Sequence, residues 1–195
     1  QGYVGKGQFL VSQQILADGN NGIEADSNRD NNSLLPRSSP QFYNLTLVGT
    51  GPGSNPKGEK RFGVTLRQGT AGQIGNAIVT GFTEMGATLT QESTCAELAA
   101  GRLLVKSALF FDNGRDLTSN LSTVTTPCDL AAALRKGDLR EQNPLLRRPY
   151  DQRMPDFRPQ PTSPALTGAA SLPTDPFFAP VTYVGAFGAD DGDDW

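Results

Sequence analysis

Oxygen-bearing side chains alternate in one short stretch of the sequence, at Asp26, Asn28 and Asp30. Calcium takes six to eight oxygen ligands in a flexible cage, and a loop of this kind could supply some of them. The stretch departs from the EF-hand pattern, because Asn31 stands where that loop has Gly and Arg37 where it has Glu. Asp and Asn side chains at this spacing also cap their own backbone in polar turns. The sequence therefore leaves a calcium site and a polar turn as alternatives.

Three further charged residues lie on or beside segments with a strand pattern: Glu24, Arg67 and Lys106. An Arg or Lys can act as a general base if burial and neighbouring cations lower its pKa. The spacing of these residues is not diagnostic, however, and exposed charges are expected on any outward strand face. We interpret Glu24, Arg67 and Lys106 as candidates for a surface groove and assign no catalytic residue.

The sequence contains no histidine, and its two cysteines are Cys95 and Cys128. Ser-His-Asp and Cys-His catalysis within this chain are thereby excluded, and so are zinc sites built on histidine. Two thiols without histidine co-ligands do not make a structural zinc site either. We expect no cofactor apart from the calcium alternative, and no transition metal.

The composition favours a globular chain of short elements. Its 195 residues include 22 Gly and 14 Pro, which indicate many turns and short strands. The net charge of -3 does not suggest a nucleic-acid partner, which usually requires a basic face. The densest basic group consists of Arg147, Arg148, Arg153 and Arg158, interleaved with Asp and Pro. We interpret it as a solvated loop, with an anion site as the alternative. No apolar run approaches the ~20 residues of a transmembrane helix.

Two sets of short segments recur along the chain and predict its fold. Residues 44–49, 76–81 and 107–112 are β-branched or aromatic runs that end in Gly or Asp, as strands before turns do. Between them, residues 22–26 and 63–67 begin with Gly and alternate apolar with polar residues, and residues 86–90 follow the same pattern. Because the two kinds of segment alternate in a fixed order, we prefer a solenoid to a β-sandwich.

The predicted fold is all-β, a right-handed parallel β-helix of about four coils. One coil cannot bury its apolar face alone, so inward side chains of successive coils must stack. The residues expected to be mostly buried are Leu45, Leu47, Val64, Leu66, Ile78, Val79, Leu109 and Phe111.

Two short helices are predicted at residues 93–101 and 129–137, since each ends at a Gly and the second has an acid at its start and bases at its end. We place the coils and these helices in residues 1–142. Residues 143–195 form a Pro-rich extended segment packed on the solenoid, because they carry more aromatic residues than a disordered tail would. A last strand is expected at residues 181–187.

The cysteines predict a disulfide between Cys95 and Cys128. Their separation is close to the interval between equivalent strand residues, so one coil returns the chain to nearly the same lateral position one layer up. Stacked layers lie ~4.8 Å apart, within the range of Cα separations that a disulfide accepts. Two free buried thiols are the alternative.

Several stretches resemble a family of uncharacterised bacterial extracellular proteins, often lipoproteins, with pectate-lyase-like right-handed β-helix architecture. The resemblance covers nearly the whole chain in order, through residues 4–11, 21–28, 36–38, 43–49, 66–72, 110–114, 163–166 and 177–187. Family members look longer at the N-terminus, so this chain resembles the C-terminal half of such a protein. The resemblance implies a location outside the bacterial cytoplasm: secreted, periplasmic or on the outer cell surface.

These observations favour a non-catalytic structural or protein-interaction module, with other protein subunits as partners in a larger cell-surface or periplasmic assembly. The alternative is a β-helix that binds or cleaves acidic polysaccharide with calcium, since the polysaccharide lyases of this architecture use an Arg or Lys base beside acidic calcium ligands. The first expectation rests on the missing histidine and on the long regular surface of a solenoid.

Overall fold

The computed structural model describes residues 2–17, 19–54, 58, 60–115, 128–190 and 192. The helices are α1 and α2, at Glu92–Ala99 and Leu130–Lys136. The first seven strands, β1 to β7, are Lys6–Gln13, Asn21–Asp26, Gln41–Val48, Phe62–Arg67, Gly72–Thr80, Met85–Leu89 and Leu103–Phe111. Three short strands, β8 to β10, are Leu139–Arg140, Leu146–Arg148 and Asp156–Pro159.

Alternate strands of the chain build two parallel sheets. The larger sheet has the order β1-β3-β5-β7-β8, and the smaller one has the order β2-β4-β6. Each of the strands β1 to β5 pairs with the strand two positions later in sequence, as in a parallel β-helix, and β8, which follows α2, pairs with β7. The parallel pairing confirms the predicted solenoid over the β-sandwich, and both helices form where they were predicted. Among the strands of the described residues, only β9 and β10 pair in the antiparallel direction.

The main core lies between the two parallel sheets. Leu45 and Leu47 of β3 meet Val64 and Leu66 of β4 there, and each is at most 3% exposed. Strands β5, β6 and β7 continue the same stack, so each coil covers the apolar side chains of its neighbour.

One residue in each long strand of the larger sheet has a left-handed backbone. These residues, which we call the left-handed row, are Phe9, Asn44, Asn76 and Ser107, with φ between +47° and +58°. The strand registers place all four side by side. Each one interrupts the alternation of inward and outward side chains in its strand.

The row changes which predicted core residues face inward. Ala77 and Val79 join the core between the sheets, whereas Ile78 points to the outer face of the larger sheet. Ile78 was predicted to stack inside the coils; it is buried, but on the opposite side. Leu109 lies on that outer face as well, and Phe111 at the end of β7 is only partly buried, although it was expected in the core.

Residues 143–190, the C-terminal segment, pack across the outer face of the larger sheet. Leu146, Ala165 and Val184 cover Ile78 and Leu109 in a second apolar cluster. Residues 181–187, where a strand was expected, form bends instead. Their amides bond to scattered acceptors outside any strand ladder: Val184 N donates to the Ala165 carbonyl, and Ala186 N to Thr46 Oγ1.

A disulfide joins Cys95 of α1 to Cys128, just before α2, with their Cα atoms 5.6 Å apart. Both helices contact β7, so the bond ties two successive corners of the solenoid together, as the spacing of the cysteines predicted.

Among the described residues, no helix is long and apolar enough to cross a bilayer.

Candidate functional site

An acid–arginine cluster lies on the smaller sheet. The sheet register sets Asp26 beside Arg67, because β2 and β4 are neighbours. Arg67 Nε and Nη2 donate to the two carboxylate oxygens of Asp26 at 2.7 and 3.0 Å, and Nη2 also donates to Glu24. Asn21 donates to the other Glu24 oxygen at 2.7 Å. The guanidinium is thus held by two carboxylates, Asp26 and Glu24.

Two of the three proposed calcium ligands, Asp26 and Asn28, are engaged in other contacts. Asp26 holds Arg67, and Asn28 Oδ1 accepts hydrogen bonds from the amides of Asp30 and Asn31 at 2.9 and 2.8 Å. That geometry is the self-capping polar turn. Within the described ranges, no group of three or more acidic, Cys or His side chains is placed to hold a metal ion.

Lys106 is not part of the acid–arginine cluster, because β7 belongs to the larger sheet whereas Glu24 and Arg67 lie on the smaller one. It lines a largely apolar cavity of about 590 Å³ bounded by α1, β7 and α2. The sequence could not separate these positions, since it shows strand patterns but not which sheet each strand joins.

The outer face of the larger sheet, the second surface that could form a groove, is covered by the chain itself. Asn76 exchanges two hydrogen bonds with the backbone of Ala170, at 2.7 and 3.2 Å, and Asn44 donates to the Tyr183 carbonyl at 2.9 Å. Ser107 donates to the Gly168 carbonyl. The left-handed row thus holds the C-terminal segment over the face.

A pocket of about 410 Å³ opens beside the β9–β10 hairpin, and we call it the arginine pocket. Asp156 is buried and accepts two bonds from Arg158, at 2.8 and 2.9 Å. The Arg158 hydrogen bond lowers the pKa of the Asp156 carboxyl, which stays ionised. The lining residues are Val11, Arg148, Pro155, Asp156, Phe157, Arg158 and Phe187.

The sequence analysis interpreted the arginines of this pocket as a solvated loop, with an anion site as the alternative. The signal for a pocket was the mixture of Arg and Phe in residues 147–158, but Phe187 and Val11 are distant in sequence. Phe157 and Phe187 stack with ring centroids 6.4 Å apart, a contact that only the folded C-terminal segment creates.

A scan against family models matches residues 1–142 to the pectate-lyase-like beta helix domain. This chain belongs to that family. No curated protein and no solved structure gives a significant match.

The pectate-lyase-like match spans the two parallel sheets and both helices, so the parallel β-helix that the resemblance implied is confirmed for these residues. Residues 143–195, including the hairpin and most of the arginine pocket, lie outside the matched range. The family therefore accounts for the solenoid, while the covered face and the arginine pocket depend on the segment that follows it.

Proposed function

We propose that this β-helix is a non-catalytic structural and protein-interaction module, an accessory subunit of a larger assembly at the cell surface or in the periplasm of a bacterium. The observation that carries the proposal is the covered face of the larger sheet. The chain's own backbone occupies that surface, and two carboxylates hold Arg67 on the other sheet. Neither surface offers an open groove with a base in it.

The first strands of the two sheets support an interaction role. Strands β1 and β2 each stand at one end of their sheet, with no partner on the far side among the described residues. Exposed apolar side chains flank β1, at Tyr3, Val4, Ile15 and Leu16, each at least 39% exposed. Unpaired strand edges beside exposed apolar groups favour contact with another chain.

The finer architecture is part of the same proposal: a right-handed helix of about four coils, with the Pro-rich segment as a flank. The general right-handed bias of parallel crossovers supports it. A crystal structure with left-handed coils would contradict it.

The function is tested by two measurements on the whole protein. Acidic polysaccharides with and without calcium should give no unsaturated sugar ends by ultraviolet absorbance. Affinity purification from the native source should yield a partner that Val4→Glu with Ile15→Glu releases, while Leu34→Glu, an exposed change outside both β1 and the arginine pocket, retains it. Polysaccharide cleavage that Arg67→Ala abolishes would overturn the proposal.

A calcium-dependent polysaccharide site is the second candidate, and the meeting of Glu24, Asp26 and Arg67 on one surface favours it. Calcium bound only by the folded state must raise its melting temperature. A calcium-induced shift that Asp26→Asn with Asp30→Asn removes would support this candidate; no shift at millimolar calcium would eliminate it.

A further inference from the structure

The arginine pocket carries more positive charge than its own carboxylate balances. Its lining contains two arginines, Arg148 and Arg158, and one carboxylate, Asp156, a net charge of +1 on a chain whose total is -3. Asp156 is bound at both oxygens by Arg158. Arg148 approaches the same carboxylate only to 4.0 Å, and its side chain is 53% exposed. Arg148 can therefore bind a further anion at little cost in desolvation.

Apolar surface lies next to this guanidinium. Phe157 and Phe187 form a stacked pair, and Val11 and Pro155 complete the wall. The lining contains no hydroxyl or amide side chain, and its single carboxylate is committed to Arg158. A sugar ring would bury hydroxyl groups here with few partners, and unpaired buried polar groups are costly. A peptide with an acidic residue next to an apolar one matches the wall in both charge and polarity.

We propose that the arginine pocket binds an acidic segment of a partner protein, whose carboxylate pairs with Arg148 and whose neighbouring apolar side chain packs on Phe157 and Phe187. This inference rests on the proposed interaction function and assigns it a surface separate from the β1 edge. Arg is suited to the role, because its planar fork pairs with a carboxylate through two parallel hydrogen bonds.

The test is fluorescence anisotropy with the full chain and a labelled, amidated octapeptide that carries two Asp-Leu pairs among Gly and Ser. We expect saturable binding that Arg148→Glu weakens at least tenfold. Arg153→Glu makes the same charge change on an exposed residue outside the lining, and we expect its affinity to stay within twofold of the wild type. Raising the salt from about 20 to about 500 mM should weaken binding severalfold, because the Arg148 pair is exposed.

Three results would overturn the inference. They are equal binding of the peptide with Asn in place of Asp, equal losses from Arg148→Glu and Arg153→Glu, and no saturable binding of the octapeptide. Tighter binding of a galacturonate trisaccharide, lost in Arg148→Glu, would assign the pocket to acidic sugars instead. Each of these failures leaves the partner released by Val4→Glu with Ile15→Glu in place, so failure of the pocket is distinguishable from failure of the proposed function.

Discussion

The solenoid and the C-terminal segment are stabilised in different ways. In the solenoid, parallel ladders repeat from strand to strand, and one layer of apolar side chains stacks on the next. The segment has only the short ladder of β9 and β10, and it is held by side chains of the left-handed row and by a small apolar cluster. A repeating core tolerates changes in its loops, whereas a few specific polar contacts make the segment sensitive to single substitutions.

Removal of the disulfide should have the largest effect on the solenoid. Replacing Cys95 and Cys128 together by Ser should lower the free energy of unfolding by about 3–4 kcal/mol, because the bond limits the entropy of the unfolded chain. Urea unfolding followed by circular dichroism measures the change. Intact mass after alkylation without reductant is the control: two alkylated thiols in the wild-type protein would show that no bond had formed.

A core truncation tests the stacked layers. Leu45 is completely buried between the sheets, so Leu45→Ala should cost about 3 kcal/mol through lost burial and the cavity left behind. Leu35→Ala removes the same atoms at a position that is 75% exposed and should cost little. Equal losses in urea unfolding for the two variants would contradict the assignment of the core.

The attachment of the segment is tested at Asn76, which is buried in the left-handed row. Asn76→Ala removes both hydrogen bonds to Ala170. It also leaves a Cβ at positive φ without the side-chain amide that offsets this strain, so we expect the free energy of unfolding to fall by about 2 kcal/mol. Asn76→Gly removes the same bonds but suits the backbone, and it should lose less.

Hydrogen exchange separates the two regions in the Asn76 variants. Protection should fall first in residues 165–187, while β3 and β7 keep theirs. If the solenoid strands and the segment lost protection together, the two regions would form one unit, and the contrast drawn between them would be wrong.

The smallest expected effect depends on pH. Glu97 is buried and binds Arg102 and Arg37, and the Arg102 hydrogen bond is the main cause of its lowered pKa. A carboxyl whose pKa is lowered by folding contributes stability above its unfolded value, near 4.5, and loses it as the pH falls through the folded value. Glu97→Gln should therefore destabilise by about 1–2 kcal/mol at pH 7 and progressively less below pH 4.5.

Thermal melts across this pH range measure the effect, and Glu141→Gln on an exposed residue is the control. A stability difference between wild type and Glu97→Gln that stayed constant down to pH 2 would show that the ion pairs do not cause it.

The local features of the solenoid could be predicted from the sequence. Short β-branched runs that end in Gly or Asp located the strands, and the spacing of Cys95 and Cys128 located the disulfide, because both depend on nearby residues and on a constant coil length. The sequence did not show that Val79 points into the core between the sheets while Ile78 points to the outer face of the larger sheet. The left-handed backbone of Asn76 shifts the alternation within β5, and a pattern of period two does not show such a shift.

The candidate sites depend on long-range contacts and were harder to predict from the sequence. Glu24 and Arg67 meet because β2 and β4 pair, but the strand pattern around Lys106 looked the same although its strand joins the other sheet. The covered face and the arginine pocket depend on contacts between β1 or β5 and residues near the C-terminus. Polar side chains that bond to irregular backbone leave no periodic signal.

The path of the C-terminal segment affects the order in which the protein can fold during synthesis. The segment contacts β7 at Gly168, β5 at Ala170, β3 at Tyr183 and β1 at Ala179, so it is bonded to strands that are translated well before it. Coils can stack as they leave the ribosome, but Ile78 and Leu109 stay uncovered until Leu146, Ala165 and Val184 have emerged. A nascent chain stalled before residue 143 would therefore expose the apolar outer face of the larger sheet. That exposed face is where we expect a chaperone to bind.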